Sequence, residues 1–261
     1  MTPKTITSKD NPWFKQLRQL ATNNTAYRLQ QRVWLEGDHL CQAALDRGHR
    51  LTEVVLSETV DAQVMAKWAG QSDALTLLPD KLMHALSSLP SHAWMGAVLA
   101  LPSAVSFQAN QPSVVLDRLQ DPGNAGSILR SAAAFGFTQV ITTPGTVAMW
   151  SAKVVRAAMG AHFGVNLFES VSMDELAALN LPVLITSSHQ GDFLHDLVQR
   201  QQLPMPCMWV LGHEGQGVDP RWIALAQQQV RIAQPGGEES LNVAAAAAIC
   251  LHASEIGRAH V

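Results

Sequence analysis

The sequence contains no apolar run approaching the roughly 18 residues needed to cross a bilayer as a helix, and its opening, MTPKTITSKDNPW, has no apolar core of a secretory signal. The expectation is a cytoplasmic chain with no membrane partner. Cysteine is scarce: Cys41, Cys207 and Cys250 are far apart, odd in number and show no CxxC spacing. Neither a disulfide framework nor a zinc site is expected, and packing is left as their role. Positive charge is also short, because a net charge of -3 argues against a protein that coats nucleic acid through bulk charge. No internal repeat occurs, and the only low-complexity tract is the alanine run Ala244 to Ala248.

What is present is a chain of 261 residues, 47% apolar and 15% charged, enough for one large or two modest domains with a real core. The charge is uneven. Residues 1–50 hold eight Lys/Arg against four acids, a balance of +4 that leaves -7 for the remainder. A basic first fifth on an acidic body is what a phosphate-binding end looks like, although solvated surface gives the same count.

Asn11-Pro12 reads as a helix cap, and Trp13, Leu17 and Leu20 follow at helical spacing, predicting a helix over about 12–21. Lys15 and Arg18 lie on it. A second helix, over about 25–31, is expected to put Arg28 and Arg32 four apart on one face toward a phosphate backbone. Strands are predicted at 33–36, 54–56 and 75–78, with helices over 40–45 and 64–68, so residues 1–101 read as a small α/β domain. PSAVSFQANQP, within 102–112, has no periodicity and a proline at each end, as a linker would. Beyond it, short apolar runs at 114–117, 140–142, 183–186, 208–211 and 230–232 alternate with helical patterns. These are marks of a mostly parallel sheet with helices on both faces.

Three loops could form one site. LDRLQDPGNAGSILR (116–130) is a strand end, a tight turn and a helix start carrying Asn124 and Arg130. VLGHEGQG (210–217) runs a strand into Gly212, Gly215 and Gly217, around Glu214. Its GxxGxG spacing is not the GxGxxG of a nicotinamide-dinucleotide site, so a dehydrogenase is a poor rival. QPGGEESLNVAAAAAICL (234–251) has a Pro-Gly-Gly turn, two acids, a helix start at Ser240 and then the methyl-sized run.

Together, Asn124-x-Gly126-x-x-x-Arg130, Gly212-x-Glu214-Gly215-x-Gly217 and Ser240-Leu241-Asn242-Val243 resemble, in order, the three motifs of the SpoU/TrmH group of RNA ribose 2'-O-methyltransferases of the SPOUT superfamily. SAKVVRAAMGA (151–161) is similar to the family between motifs one and two, and Asn11-Pro12 with Trp34-Leu-Glu-Gly37 resembles an L30e-like substrate-binding domain. The resemblance implies an α/β catalytic domain over 113–254 with a C-terminal trefoil knot, an exception to unknotted chains. Gly236, Gly237 and the alanine run would serve its backbone-to-backbone packing.

It further implies S-adenosyl-L-methionine as cofactor, held by Gly212, Ile232 and Leu241 with Gly217 and Gln234 nearby, and no metal. Asn124, Arg130, Glu214, Ser240 and Asn242 take the catalytic roles, while Lys15, Arg18, Arg28 and Arg32 are the RNA-binding candidates. A guanidinium with a pKa above about 12 is a poor base, so the expected role of Arg130 is phosphate clamp and stabiliser of the forming alkoxide, with base duty second. Glu214 and Asn242 are expected to orient loops and substrate. Ribosomal RNA is the expected substrate ahead of transfer RNA, and a homodimer the expected assembly. A non-catalytic RNA-binding protein of the same fold is the other reading.

The chain departs from the family pattern in two places. Ile232-Ala-Gln-Pro-Gly236 replaces the usual Ile-Pro-Met-x-Gly, and Ala244 stands where a small hydroxyl residue is common. The last seven residues, 255–261, back-translate as a common sequencing adapter and are a candidate non-native tail.

Overall fold

Asn11 and Pro12 start the first helix as their chemistry requires. The Asn11 amide oxygen accepts the Trp13 N–H at 2.9 Å, and proline fills a position whose donor would have no partner. This computed structural model describes residues 2–87, 93–103, 106–236 and 240–256. Gly237, the two acids after it and residues 257–261 of the candidate tail lie outside the described residues. The chain divides into two compact units, Met1–Ser103 with Ala148–Phe163, and Ala104–Val147 with Gly164–Val261.

The first unit begins with β1 (Lys4–Thr5), α1 (Pro12–Thr22), α2 (Ala26–Gln30), β2 (Arg32–Glu36) and α3 (Asp38–Asp46). It continues with β3 (Leu51–Ser57), α4 (Ala62–Ala69), β4 (Leu75–Leu78), α5 (Asp80–His84) and β5 (Met95–Ala100). After it come β6 (Ser113–Leu116), α6 (Pro122–Ala134), β7 (Gln139–Thr142), α7 (Ala152–Ala158) and β8 (Asn166–Phe168). The chain then runs α8 (Met173–Ala177), β9 (Val183–Thr186), β10 (Asp192–Phe193), α9 (Leu194–Gln199), β11 (Met208–Leu211), α10 (Pro220–Leu225), β12 (Gln228–Arg231) and α11 (Val243–Ile256).

In the first unit the strands lie in the order β1-β4-β3-β5-β2, parallel across β1, β4 and β3 and antiparallel where β5 meets β3 and β2. Of the three residues whose spacing predicts the helix, Leu17 and Leu20 are buried, together with Phe14, whereas Trp13 is half-buried and its Nε1 donates to Glu53 Oε2 at 3.0 Å. The expected pairing of Arg28 and Arg32 on one helix face needs correction. Gln31 turns into the left-handed region at φ +52 and ends α2, so Arg32 belongs to β2. Arg28 instead lies over the Tyr27 ring, 5.5 Å from its centroid, with Nε donating to Tyr27 Oη at 3.1 Å.

Residues 148–163, which the motif order assigns to the catalytic domain, pack with the first unit. Arg156 Nη1 donates to Glu36 Oε2 at 3.2 Å, and the Phe163 and His49 rings stand 5.0 Å apart. His162 is buried here, its Nε2 2.8 Å from the Met149 carbonyl. Burial pushes its pKa down to about 4, against the smaller upward pull of that hydrogen bond, so the ring is neutral at pH 7. The linker reading also needs amendment. Phe107 stacks on Phe168 at 4.1 Å, and the Gln108 N–H donates to Gln139 Oε1 at 2.8 Å, so the later part of 102–112 is docked to the second unit.

The second unit carries seven strands in the order β10-β12-β9-β11-β6-β7-β8, every pair parallel. Parallel strands place all their carboxyl ends on one edge, and the loops leaving β6, β9, β11 and β12 gather there. The three cysteines are buried and free, and burial pushes the Cys250 thiol up to about 12. No helix among the described residues is long and apolar enough to cross a membrane.

The alanine-rich helix differs from its sequence reading. It starts at Val243, not Ser240, because the Asn242 amide oxygen takes the N–H groups of Ala244 and Ala245 at 2.9 and 3.3 Å. Of the run, Ala247 is buried while Ala245 is exposed, and a Cβ on Gly236 would meet nothing within 4 Å. The tight packing falls further along, at Cys250, Leu251 and Ser254, where Ser254 Oγ accepts from Trp209 Nε1 at 3.0 Å.

Candidate active site

Glu214 reaches from the loop after β11 to the start of α6. Its carboxylate accepts the N–H groups of Gln120 and Asp121 at 3.2 and 3.0 Å and the Asn124 side-chain amide at 3.1 Å. Partial burial pushes its pKa up. The opposing hydrogen bonds, from its own N–H, the Asn124 amide, Asp121 and Gln120, outweigh that push and hold the group below the usual carboxylate range. Glu214 is therefore ionised at neutral pH with its acceptor sites engaged, an arrangement that anchors rather than takes protons.

Asn124 passes the chain of bonds on. Its amide oxygen accepts from Asn242 Nδ2 at 3.0 Å, and the Asn242 oxygen caps α11. Each amide thus has one donor and one acceptor committed, which fixes its orientation. Asp121 completes the turn by accepting the Asn124 N–H at 2.7 Å as the cap of α6. Residues 118 positions apart in sequence are joined by side chains alone.

Beside this network is a cavity of about 480 Å³ lined by residues 186–189 at the end of β9, 212–215, 217 and 218 after β11, Ile232 and Gln234 after β12, and Ser240, Leu241 and Asn242 before α11. Gly212, Gly217, Ile232, Gln234, Leu241, Ser240, Asn242 and Glu214 all belong to this wall, so most of the sequence-derived site is brought together. The role of Gly212 is clearer than expected. A Cβ there would lie 2.2 Å from the Gly217 carbonyl carbon, and His213 and Gly217 exchange two backbone hydrogen bonds of 2.9 Å. Its glycine lets the loop close on itself, and Gly217 takes φ +67 to complete the turn.

Sequence reading missed Thr186, Ser187, Ser188 and His189, which line the cavity from the end of β9. No motif marks them; the signal is their place at the carboxyl end of a parallel strand. Arg130 is the residue not brought in. It is exposed, its side chain makes no hydrogen bond or ion pair with any described residue, and it is absent from the cavity wall. Six residues of helix carry it roughly 9 Å along α6 and about 120° around from Asn124.

Lys15, Arg18 and Arg28, all exposed, and half-buried Arg32 lie in the first unit, where Lys15 pairs with Asp10 at 3.3 Å and Arg32 donates to Gln30 Oε1 at 3.3 Å. Among the described residues no cluster of His, Cys, Asp or Glu could hold a metal.

The sequence profile of the SpoU rRNA methylase family matches residues 111–252. The chain belongs to that family. It is an S-adenosylmethionine-dependent RNA 2'-O-methyltransferase with the α/β fold of SpoU methyltransferases. It is 32% identical to an uncharacterized tRNA/rRNA methyltransferase of Synechocystis, over 95% of this chain and 92% of that protein. It is 26% identical to the 23S rRNA (guanosine(2553)-2'-O)-methyltransferase RlmP of Bacillus subtilis, over 95% and 98%. Among solved structures, the AdoMet-bound rRNA methyltransferase of Sinorhizobium meliloti superposes with a TM-score of 0.81 at 26% identity, covering 99% of this chain and 98% of that one.

The residues present fit that cofactor. A cavity of this size suits a nucleoside joined to an amino acid. Its wall mixes apolar Ile232, Leu241 and Val218 with hydroxyl and backbone groups, and Gln234 Oε1 is buried in it with no hydrogen-bond partner among the described residues.

Proposed function

We propose that the 480 Å³ cavity holds S-adenosylmethionine and that the acceptor is a ribose 2'-hydroxyl of structured RNA, ribosomal rather than transfer RNA. The observation carrying this is the Glu214–Asn124–Asn242 network, which ties the three motif loops into one rigid wall beside the cavity. Bound there, the cofactor supplies an electrophilic methyl group on sulfonium. Gly212, Gly217, Ile232, Gln234 and Leu241 hold it, with Thr186 to His189 completing the wall.

Asn124 and Asn242 keep the loops in register for in-line attack, Ser240 orients substrate at the mouth, and Glu214 anchors the turn of motif one. Preorganised placement of the reacting atoms is the main contribution of such a network. Arg130 clamps a phosphate and stabilises the developing alkoxide while the proton leaves to solvent. It does so at the cavity of a second copy in a homodimer, which its exposure and lack of partner support.

The finer fold reading is part of the same proposal: a trefoil knot threaded by the residues after β12, and an L30e-like RNA-binding domain in the first unit presenting Lys15, Arg18, Arg28 and Arg32. Contact of α11 with α6 and the reach of Asn242 to Asn124 support the threading. A cytoplasmic setting fits a ribosomal substrate. Methyl transfer from labelled cofactor to total RNA, followed by mapping of 2'-O-methyl sites, tests the function. A ribosomal RNA nucleotide modified only when the protein is present is expected; labelling confined to transfer RNA, or none, would refute the assignment.

A further inference from the structure

Arg118 follows β6 by two residues and holds a left-handed backbone at φ +56, a conformation that costs any residue but glycine. Its N–H donates to Thr143 Oγ1 at 3.1 Å and its carbonyl accepts from Gln120 Nε2 at 3.0 Å. The turn sends the guanidinium to the loop after β11. There Nη2 donates to the Gly217 carbonyl at 3.3 Å and to Asp117 Oδ2 at 3.2 Å, and Nη1 reaches Gln216 Oε1 at 3.4 Å. Asp117, only 2% exposed, also accepts the Asp219 N–H at 2.7 Å and the Thr143 hydroxyl at 3.0 Å.

Asp117 and Arg118 therefore grip the far half of the glycine loop at Gln216, Gly217 and Asp219, while Glu214 grips its near half. Neither Asp117 nor Arg118 lines the cavity. We propose that Arg118 is a positioning residue that fixes the cofactor-binding wall from behind by holding the Gly217 carbonyl. This rests on the reading that the 480 Å³ cavity is the cofactor site. Glycine would take the backbone of residue 118 without strain; arginine accepts the strain and returns two contacts to the loop, at Gln216 and Gly217.

The test is calorimetric titration of S-adenosylhomocysteine into wild type, Arg118→Ala, Arg118→Gly and Arg118→Lys, with thermal melts and steady-state kinetics of methyl transfer to an unmethylated acceptor RNA. Arg118→Ala and Arg118→Gly are expected to weaken binding about tenfold and raise the cofactor KM by the same factor, with kcat at saturation within about twofold of wild type. Arg118→Lys should be intermediate, because one ammonium replaces a fork of donors. Glycine relieves the strain, so Arg118→Gly melts no lower than Arg118→Ala yet binds as weakly; this separates the clamp from stability. Wild-type affinity in Arg118→Gly or Arg118→Ala would overturn the inference alone. Failure of wild type to bind S-adenosylhomocysteine would overturn the cavity assignment and the inference with it.

Discussion

Two cavities share the wall at Ile232, and they differ in everything but that. The larger, about 670 Å³, is lined by Phe135, Leu194, Val198, Ile249 and His252 among others and is mainly apolar. The smaller, about 480 Å³, is bounded by hydroxyls, amides and a folded-back glycine loop. Volume alone would choose the first. Convergent polar groups, a carboxylate held ionised, and side-chain bonds between distant segments choose the second, and these are features that a polar ligand requires.

The largest effect that sharpens this contrast is expected from Arg130. Arg130→Ala should lower kcat by roughly a hundredfold to a thousandfold, the loss typical of one charge-stabilising group, while S-adenosylhomocysteine affinity stays within about twofold. Loss of affinity instead of turnover would move Arg130 into the cofactor wall.

A buried group that lines neither cavity should act on stability and leave affinity alone. His162 has a folded pKa of about 4 against an ordinary 6.5. The unfolded chain therefore binds the extra proton first, and stability is whole above pH 6.5 and is lost as pH falls toward 4, by about 3 kcal/mol in full. Denaturant melts across that window should show the slope in wild type and a flatter one in His162→Gln.

Glu214 is the next step down. Glu214→Gln replaces one of the two acceptor oxygens by an NH2 donor, which must face the N–H of Gln120 or those of Asp121 and Asn124, and should weaken S-adenosylhomocysteine binding about tenfold. In wild type, a carboxylate held below its ordinary value of 4.5 keeps its contribution as pH falls to that value and loses it only beneath. Affinity measured against pH should accordingly decline below 4.5 and not above it. The smallest effect belongs to the larger cavity: Val198→Ala should change S-adenosylhomocysteine affinity by less than about twofold, since a partly buried methyl pair there touches none of the network.

The same contrast explains what the sequence could and could not reveal. Asn124, Glu214 and Asn242 were named through their resemblance to family motifs, and the structure joins their side chains. Four-residue strands made mostly of apolar residues were legible at β4, β9 and β11. The two-residue β1 and β10 and the three-residue β8 were not, being too short for any period to register. Met95–Ala100 is a continuous apolar run, which periodicity cannot tell from a helix segment, and it is β5. Thr186 to His189 entered the site through sheet order, which no local pattern encodes. Arg28 and Arg32 failed as a pair because a single left-handed residue, Gln31, ended the helix between them.

The most direct test of the central claim is a crystal structure of the protein grown with S-adenosylhomocysteine. Density for the ligand against Gly212, Gly217, Ile232 and Leu241 is the predicted result. Density instead between Phe135, Leu194 and Ile249 would contradict the account.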